Sequence, residues 1–395
     1  VAARQEAIPL SVDGAAAAPA GSGRLSRHAG GDGLTSVRKS FSALVAASIE
    51  TEPFALVDVG CSGGIDPRWR GFEPHLKVLG IDASAAECRR LAALEQNAEA
   101  EYVAGFAGLP EGHPYRHKTT VSAIGDFIQP RFSYMRTREI RRAWMEQASH
   151  EERMRQNEWQ STGLADAAET IVVPELLDQR GWKNVDYLKI DIDRDDLEVL
   201  HSFDGRFASF GLIAVQLEVM FIGSDSELQH TFHNTDRFMR RQGFELLDLE
   251  VRRYSSRALP GRYVWPTPAE TEFGRPFIGE AYYALDPAAA QGCGRTLDRE
   301  KLAKLAAIFS LWNVPDMAAE LLLAKRAVFE PMFAVDRALD ALAAQVQPLR
   351  LKPRSYAAYL AEFEKDSPAF YRPEGAISLS ERLAAAWRGF RRPRR

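Results

Sequence analysis

The sequence predicts a doubly wound α/β fold: a mostly parallel sheet covered by helices on both faces, followed by a helical C-terminal region. Three observations carry this. From Val37 onward, apolar runs of strand length alternate with segments of helical spacing. Several of those runs are continuously apolar, as expected of strands buried on both faces. After about Cys293 the strand signal stops and only helical spacing remains.

Phe54–Val59 (FALVDV) reads as the first strand, its glycine-rich exit marking the strand end. Lys77–Ile81 (KVLGI) is the second, followed by a helix over Ser84–Gln96 and a short strand at Glu101–Val103. Val185–Ile190 (VDYLKI) precedes a helix over Asp195–Ser202, and Leu212–Val219 is a buried strand. A helix over Glu227–Gln242 then leads into strands at Phe244–Leu249 and Ala281–Leu285. Two segments interrupt this order. Thr137–Asn157 is dense in Arg and Glu, with sparse apolar residues (Ile140, Trp144, Met145), and reads as a solvated inserted helix. Leu259–Pro276 holds four prolines and is too long for a hairpin turn; it reads as a lid or substrate wall, or as a surface loop. Leu297–Phe329 and Pro331–Gln347 are Ala/Leu-rich with helical spacing. The expected organisation is a flexible tail over 1–36, rich in Ala, Gly and Ser, an α/β domain over 37–290, and a helical extension over 291–395.

Composition narrows the function. With 395 residues, 46% of them hydrophobic, the chain has material for two or three domains and a sizeable core, which excludes wholesale disorder. A formal net charge of −4 argues against a generic nucleic-acid binder. No apolar run approaches a membrane span, and no compact apolar region follows a basic start as in a secretory signal. The three cysteines, Cys61, Cys88 and Cys293, are far apart and odd in number. They exclude a disulfide framework and a Cys-type zinc site, and with a reducing compartment the expectation is a soluble cytoplasmic protein.

The strongest local signal is Val57-Asp58-Val59-Gly60-Cys61-Ser62-Gly63-Gly64, a strand running into a glycine turn where backbone can approach a ligand closely. Asp82, beside Ala83, ends the next strand twenty-two positions after Gly60, where a carboxylate can accept both ribose hydroxyls of a nucleoside. The acid two residues before the first glycine is awkward beside a pyrophosphate but suits a ligand carrying an ammonium and a sulfonium. S-adenosylmethionine is such a ligand. The candidate cofactor residues are therefore Asp58, Gly60, Cys61, Ser62, Gly63, Asp82 and Ala83. A nicotinamide-dependent oxidoreductase acting on a sugar is the rival enzyme class.

The second signal spans Asp186 to Leu200 (DYLKIDIDRDDLEVL). Asp191 ends a central strand at the sheet edge where Asp58 and Asp82 also emerge, and a carboxylate there needs a partner or a task. Asp195, Asp196 and Glu198 open the next helix, where acids meet the helix dipole favourably.

These segments resemble the FkbM-type class I methyltransferases, whose corresponding stretch reads close to D-x-L-K-I-D-V-E-G-x-E-x-x-V-L. The resemblance runs from about Phe41 to Pro287 and includes VDVGCSGG, Asp82, DYLKIDIDRDDLEVL, Glu218 in VQLEV, Gly243-Phe244-Glu245-Leu246 and the strand at Ala281–Leu285. It implies a methyltransferase sheet whose last strand runs antiparallel, and O-methylation of a sugar or polyketide-type hydroxyl. The chain departs from the pattern at Asp193-Arg194, where the family has Glu-Gly, and at Asp82, where Glu is frequent. Arg194 narrows the strand-to-helix turn and keeps open a non-catalytic binding module on the same fold.

Methyl transfer is an in-line displacement at a carbon activated by positive sulfur, so the protein mainly aligns the acceptor oxygen and helps remove its proton. Asp191 is the first candidate for that role, Glu218 the second, and Asp193 a third participant. Three carboxylates at one edge could instead hold a divalent cation, but no His completes a metal set and no metal ligand is assigned. His230 and His233 stand at i, i+3 in the expected helix and read as exposed or capping residues; His113 and His117 sit in a loop that could line a cleft. Trp144, Trp159 and Trp265 read as buried anchors or a stacking face for a sugar. The acceptor class is a small molecule or glycan.

The C-terminus, Ser378–Arg395, has capping-box spacing at Ser378 and Glu381, and Leu379, Leu383, Trp387 and Phe390 form one stripe. From Glu381 onward it carries six Arg against one Glu, a net of +5, which leaves the remainder at −9. Peripheral contact with an anionic membrane is one expectation, packing on the protein's own acidic surface the other.

Overall fold

A computed structural model describes residues 41–116, 170–192, 195–264, 270–289, 294–347 and 352–370. The expected tail, the Thr137–Asn157 helix, Asp193, Arg194, His117, Cys293, the tryptophans at 144, 159 and 265, and Ser378–Arg395 all lie outside the described residues.

Seven strands form the main sheet: β1 (Phe54–Val59), β2 (Leu76–Asp82), β3 (Ala100–Ala104), β6 (Tyr187–Ile190), β7 (Ala214–Met220), β8 (Glu245–Tyr254) and β9 (Arg275–Ala284). Their order is β3-β2-β1-β6-β7-β9-β8, with β4 (Phe106–Ala107) and β5 (Thr170–Ile171) pairing separately. β1 pairs in parallel with both β2 and β6, and β6 in parallel with β7. β9 enters antiparallel between β7 and β8. This is the expected α/β sheet, mostly parallel with an antiparallel last strand. The chain winds outward from β1 through β2 to β3, then returns to β1's other side with β6. That reversal opens a crevice beyond the carboxyl ends of β1 and β6, where ligands bind in open α/β sheets.

Local chemistry sets the flanking helices. β2 runs through Asp82-Ala83 into Ser84, whose hydroxyl accepts the Glu87 N–H and starts α1 (Ala85–Leu94). α2 (Val173–Gln179) begins with proline at its first turn, and α3 (Asp196–Ser202) carries Asp196 and Glu198 in its first turn, as the dipole favours. α4 (Phe232–Arg241) starts five residues later than the spacing suggests, because Ser226 to Gln229 turn on themselves before the helix.

α5 (Arg299–Leu311) is capped by Asp298, which accepts the Lys301 N–H at 2.8 Å, and all its residues after Arg299 are buried. It belongs to the same apolar core as the sheet. Glu300 accepts the backbone N–H groups of Glu50 and Thr51, fixing the lead into β1. Four further α-helices follow, α6 (Pro315–Ala324), α7 (Arg326–Phe329), α8 (Val335–Gln345) and α9 (Tyr356–Lys365), and a 3₁₀ helix over Ser367–Phe370 ends the described residues.

β8 and β9 are ten residues each, longer than their apolar runs. The added length carries Glu250, Arg252, Arg253 and Arg275, so hydropathy ends the strands early while hairpin pairing extends them. Residues between them include a Tyr263–Thr271 bridge, and Thr271, fully buried, accepts the Ser255 N–H. No described helix is long and apolar enough to cross a membrane.

Candidate functional site at the crevice between β1 and β6

The turn after β1 is built on glycine. Gly60, Gly63 and Gly64 adopt φ of 86°, 84° and 89°, a region that L side chains rarely enter. At Gly60 space forbids a side chain as well: a Cβ would fall 1.9 Å from the Asp191 carbonyl oxygen. The glycine turn and the residue ending β6 are therefore in direct backbone contact.

The N–H groups of this turn are spent within the protein. Those of Gly60 and Cys61 donate to the Ile81 carbonyl, at 2.8 and 3.2 Å, and that of Gly64 to the Cys61 carbonyl at 2.9 Å. The Gly63 N–H donates to Glu87 Oε1 at 2.9 Å, and the Ser62 N–H to the Asp82 carboxylate. The turn leads into a short 3₁₀ helix, Pro67–Phe72, whose start is occupied by the Asp66 carboxylate accepting the Arg68 N–H.

Asp82 also accepts the Ser84 N–H at 2.8 Å. Burial raises its carboxyl above the usual range, and those two backbone donors oppose the shift. Two of roughly four acceptor positions on the carboxylate are thus in use. Asp82 and Ala83 are half-buried, as are Ser62, Gly63, Gly64 and Asp191, whereas the strands leading to them are closed from solvent. Cys61 is buried beneath the turn, hydrogen-bonded to Cys88 of α1; that contact, with burial, pushes the Cys61 thiol up.

Asp58 does not open onto the crevice. It is 4% exposed, and its Oδ1 lies 3.1 Å from Lys189 Nζ. The same ammonium is 3.3 Å from the Gly60 carbonyl and 3.7 Å from Asp191 Oδ2. Burial raises the Asp58 carboxyl to about 6 against the opposing pull of Lys189. Burial also raises Asp191, with Lys189 and Arg252 lowering it and Glu280 raising it. Lys189 itself is driven up, because Asp58 and Asp191 together outweigh the cost of burying its charge.

Glu218 stands one position past the last β6–β7 register pair, on the same row as Asp191. It is 4% exposed, with Arg252 Nη1 at 3.8 Å. Arg252 also pairs with Glu280 at 3.2 Å, Glu280 accepts from Gln216 Nε2 at 2.9 Å, and Gln216 accepts the Tyr187 hydroxyl. Asp191 and Glu218 therefore belong to one charged layer on a single sheet face. Sequence reading did not single out Lys189, Gln216, Arg252 or Glu280; the period of two places Lys189 and Tyr187 on one face of β6, which is the signal available for the first of them.

His230 is a correction to the exposed or capping role read from its spacing. It is fully buried, its Nε2–H donating to the Glu218 carbonyl at 2.9 Å and its Nδ1 lying 3.8 Å from Asp196 Oδ2. Asp196 in turn accepts the Ile192 N–H, so the turn after Asp191 is fixed from behind. His233 is exposed. His113 stacks near Tyr115, which packs on His201 at the far end of α3, away from the crevice. Among the described residues no group of three or more His, Cys, Asp or Glu is arranged to hold a metal ion.

No protein-family model matches the chain, and no curated protein matches it in sequence. Among solved structures it is similar to the 23S rRNA methyltransferase ErmE, at 8% sequence identity and a TM-score of 0.26, over 79% of this chain and 97% of that one. That distant likeness transfers no residue role and no substrate.

Proposed function

We propose that the chain is an S-adenosylmethionine-dependent methyltransferase of the FkbM type, transferring a methyl group to a hydroxyl of a carbohydrate, glycoconjugate or related natural product. The observation that carries the cofactor class is the state of the glycine turn. A pyrophosphate needs free backbone N–H groups leading into a helix N-terminus. Here the N–H groups from Gly60 to Gly64 are already donated, and the acids beside the turn, Asp58, Asp66 and Glu87, are each paired with a cation, Lys189, Arg68 and Arg90. A turn with so few free donors suits a pyrophosphate poorly, which supports S-adenosylmethionine over a dinucleotide.

The residues present fit that ligand. Asp82 has acceptor capacity left for a ribose, and Ser62, Gly63, Gly64 and Ala83 give a half-open floor without bulky side chains. Bound S-adenosylmethionine would supply the activated methyl carbon. Asp191 is the group positioned to orient an acceptor hydroxyl and take its proton, and Glu218, tied to Arg252, supports it from the neighbouring strand. Asp193 remains a proposed third participant. The test is titration of the full chain with S-adenosylmethionine and with NAD. Micromolar binding of the first and none of the second is expected; NAD binding alone would reverse the assignment.

A further inference from the structure

A lysine in the central strand of a parallel sheet is costly to bury, and β6 offers no structural need for one: apolar residues of similar volume would pack there without the desolvation penalty. Lys189 nonetheless points its ammonium into the end of the sheet. It donates to Asp58 Oδ1 at 3.1 Å and to the Gly60 carbonyl at 3.3 Å, and it is ion-paired at 3.7 Å with Asp191 Oδ2. One cation thus joins the strand before the glycine turn, the turn itself and the group proposed to act on the acceptor.

We propose that Lys189 is a positioning residue: it keeps Asp58 and Asp191 as carboxylates at neutral pH and fixes Asp191 against the glycine turn. The role of the site rests on the methyltransferase reading above; the charge role does not. Removed from water, each carboxyl by itself favours its protonated form. The remaining charges around them do not replace Lys189. Asp191 faces Glu280 of β9, which favours protonation, and Arg252 of β8, which already serves Glu280 and Glu218. Asp58 faces Asp191 and Asp66, both of which favour protonation. Asp82 of β2 is also within the field of Lys189, and the Cys61 thiol near Asp58 stays neutral. Without Lys189 a protonated Asp191 could still accept a hydrogen bond but could not take a proton from an acceptor hydroxyl.

The experiment compares the full chain with Lys189→Met, Lys189→Arg and the charge-balanced double variant Asp58→Asn/Lys189→Met, each checked for folding by thermal melting. Carboxyl carbons of labelled aspartate are followed by NMR from pH 4 to 9 without ligand, with Asp191→Asn used for assignment. The expected result is that Asp191 titrates about one pH unit or more higher in Lys189→Met than in the parent, with Lys189→Arg restoring most of the shift. Should Lys189→Met fail to fold, the double variant, which removes Asp58 and Lys189 together, carries an expectation of the same direction but smaller size for Asp191, because it also removes a neighbouring negative charge. A second arm measures S-adenosylmethionine affinity over the same range. That affinity should stay within a few fold of the parent in the folded variants, because it rests on the turn and Asp82 and not on the charge of Asp191. Unchanged Asp191 titration in the folded variants would overturn the inference. A parent chain that binds no S-adenosylmethionine at any pH overturns the methyltransferase reading instead, while the titration still decides the role of Lys189.

Discussion

Lys304 Nζ lies 3.1 Å from Asp186 Oδ2 with both side chains sealed from solvent, and Lys301 Nζ takes the other oxygen at 2.7 Å. Asp186 Oδ2 also accepts the Ala55 N–H at the start of β1. One carboxylate therefore ties α5 to β1 and β6 at the end of the sheet opposite the crevice. Asp186→Ala leaves two ammonium groups in a closed core and should destabilise the chain by about 3–5 kcal/mol. Urea unfolding of the variant measures this directly, and no change in midpoint would show that water reaches the lysines.

Arg70 forks onto Glu95, both contacts at 2.7 Å, and the Tyr102 hydroxyl donates to the same carboxylate. Arg70 chiefly holds the Glu95 carboxyl down at about 2, against an ordinary 4.5. A depressed carboxyl stabilises the fold fully above its unfolded value, and that contribution drains away as pH falls from about 4.5 toward 2. Arg70→Leu should cost about 1.5–3 kcal/mol at pH 7 and progressively less at pH 3, as read from melts at the two pH values.

Asp58 has the opposite sign. Its folded carboxyl is raised to about 6 from 3.8, so between those values the folded chain holds a proton that the unfolded chain has lost. Its contribution to stability therefore falls as pH rises from about 4 to 6 and is level above. Against Asp58→Asn, the parent should lose ground across that window; parallel stability profiles would show that Asp58 is not raised.

Gly60→Ala places a methyl group on the Asp191 carbonyl in a backbone conformation unfavourable to alanine. It should cost about 3 kcal/mol or more, strain and overlap combined, and abolish cofactor binding in whatever fraction folds. A stable, binding-competent variant would mean that β6 yields at its end.

Asp82→Ala should weaken S-adenosylmethionine by about 1.5–3 kcal/mol, the value of a hydrogen bond to a charged group. Asp191→Asn should leave that affinity within a few fold and lower the rate of methyl transfer about 10²-fold or more. Calorimetry separates the two variants. Methylation of the true acceptor at the parental rate by Asp191→Asn would remove that residue from the reaction.

Much of this protein is written locally. FALVDV followed by Gly60, Gly63 and Gly64, and KVLGI followed by Asp82 and a Ser84 cap, specify strand, turn and helix start through burial, φ and hydrogen-bonding preferences of adjacent residues. Asp58, Asp82, Asp191 and Glu218 are legible for the same reason: each ends or nearly ends an apolar run, and parallel strands bring such ends to one edge.

What the tertiary structure alone decided is which charge meets which. Asp58 and Lys189 are 131 residues apart, and Asp186 and Lys304 are separated by 118. Arg252 reaches Glu280 across the β8–β9 hairpin and Glu218 from two strands away. Their partners follow from sheet order and from where α5 packs. The same holds for His230: its burial depends on β7 and the turn after β6 closing around it, whereas its own spacing points to an exposed helix face. Periodicity and turn chemistry act over a few residues and fix the elements; the electrostatics of the site depend on distances of 3–4 Å that exist only once those elements are assembled.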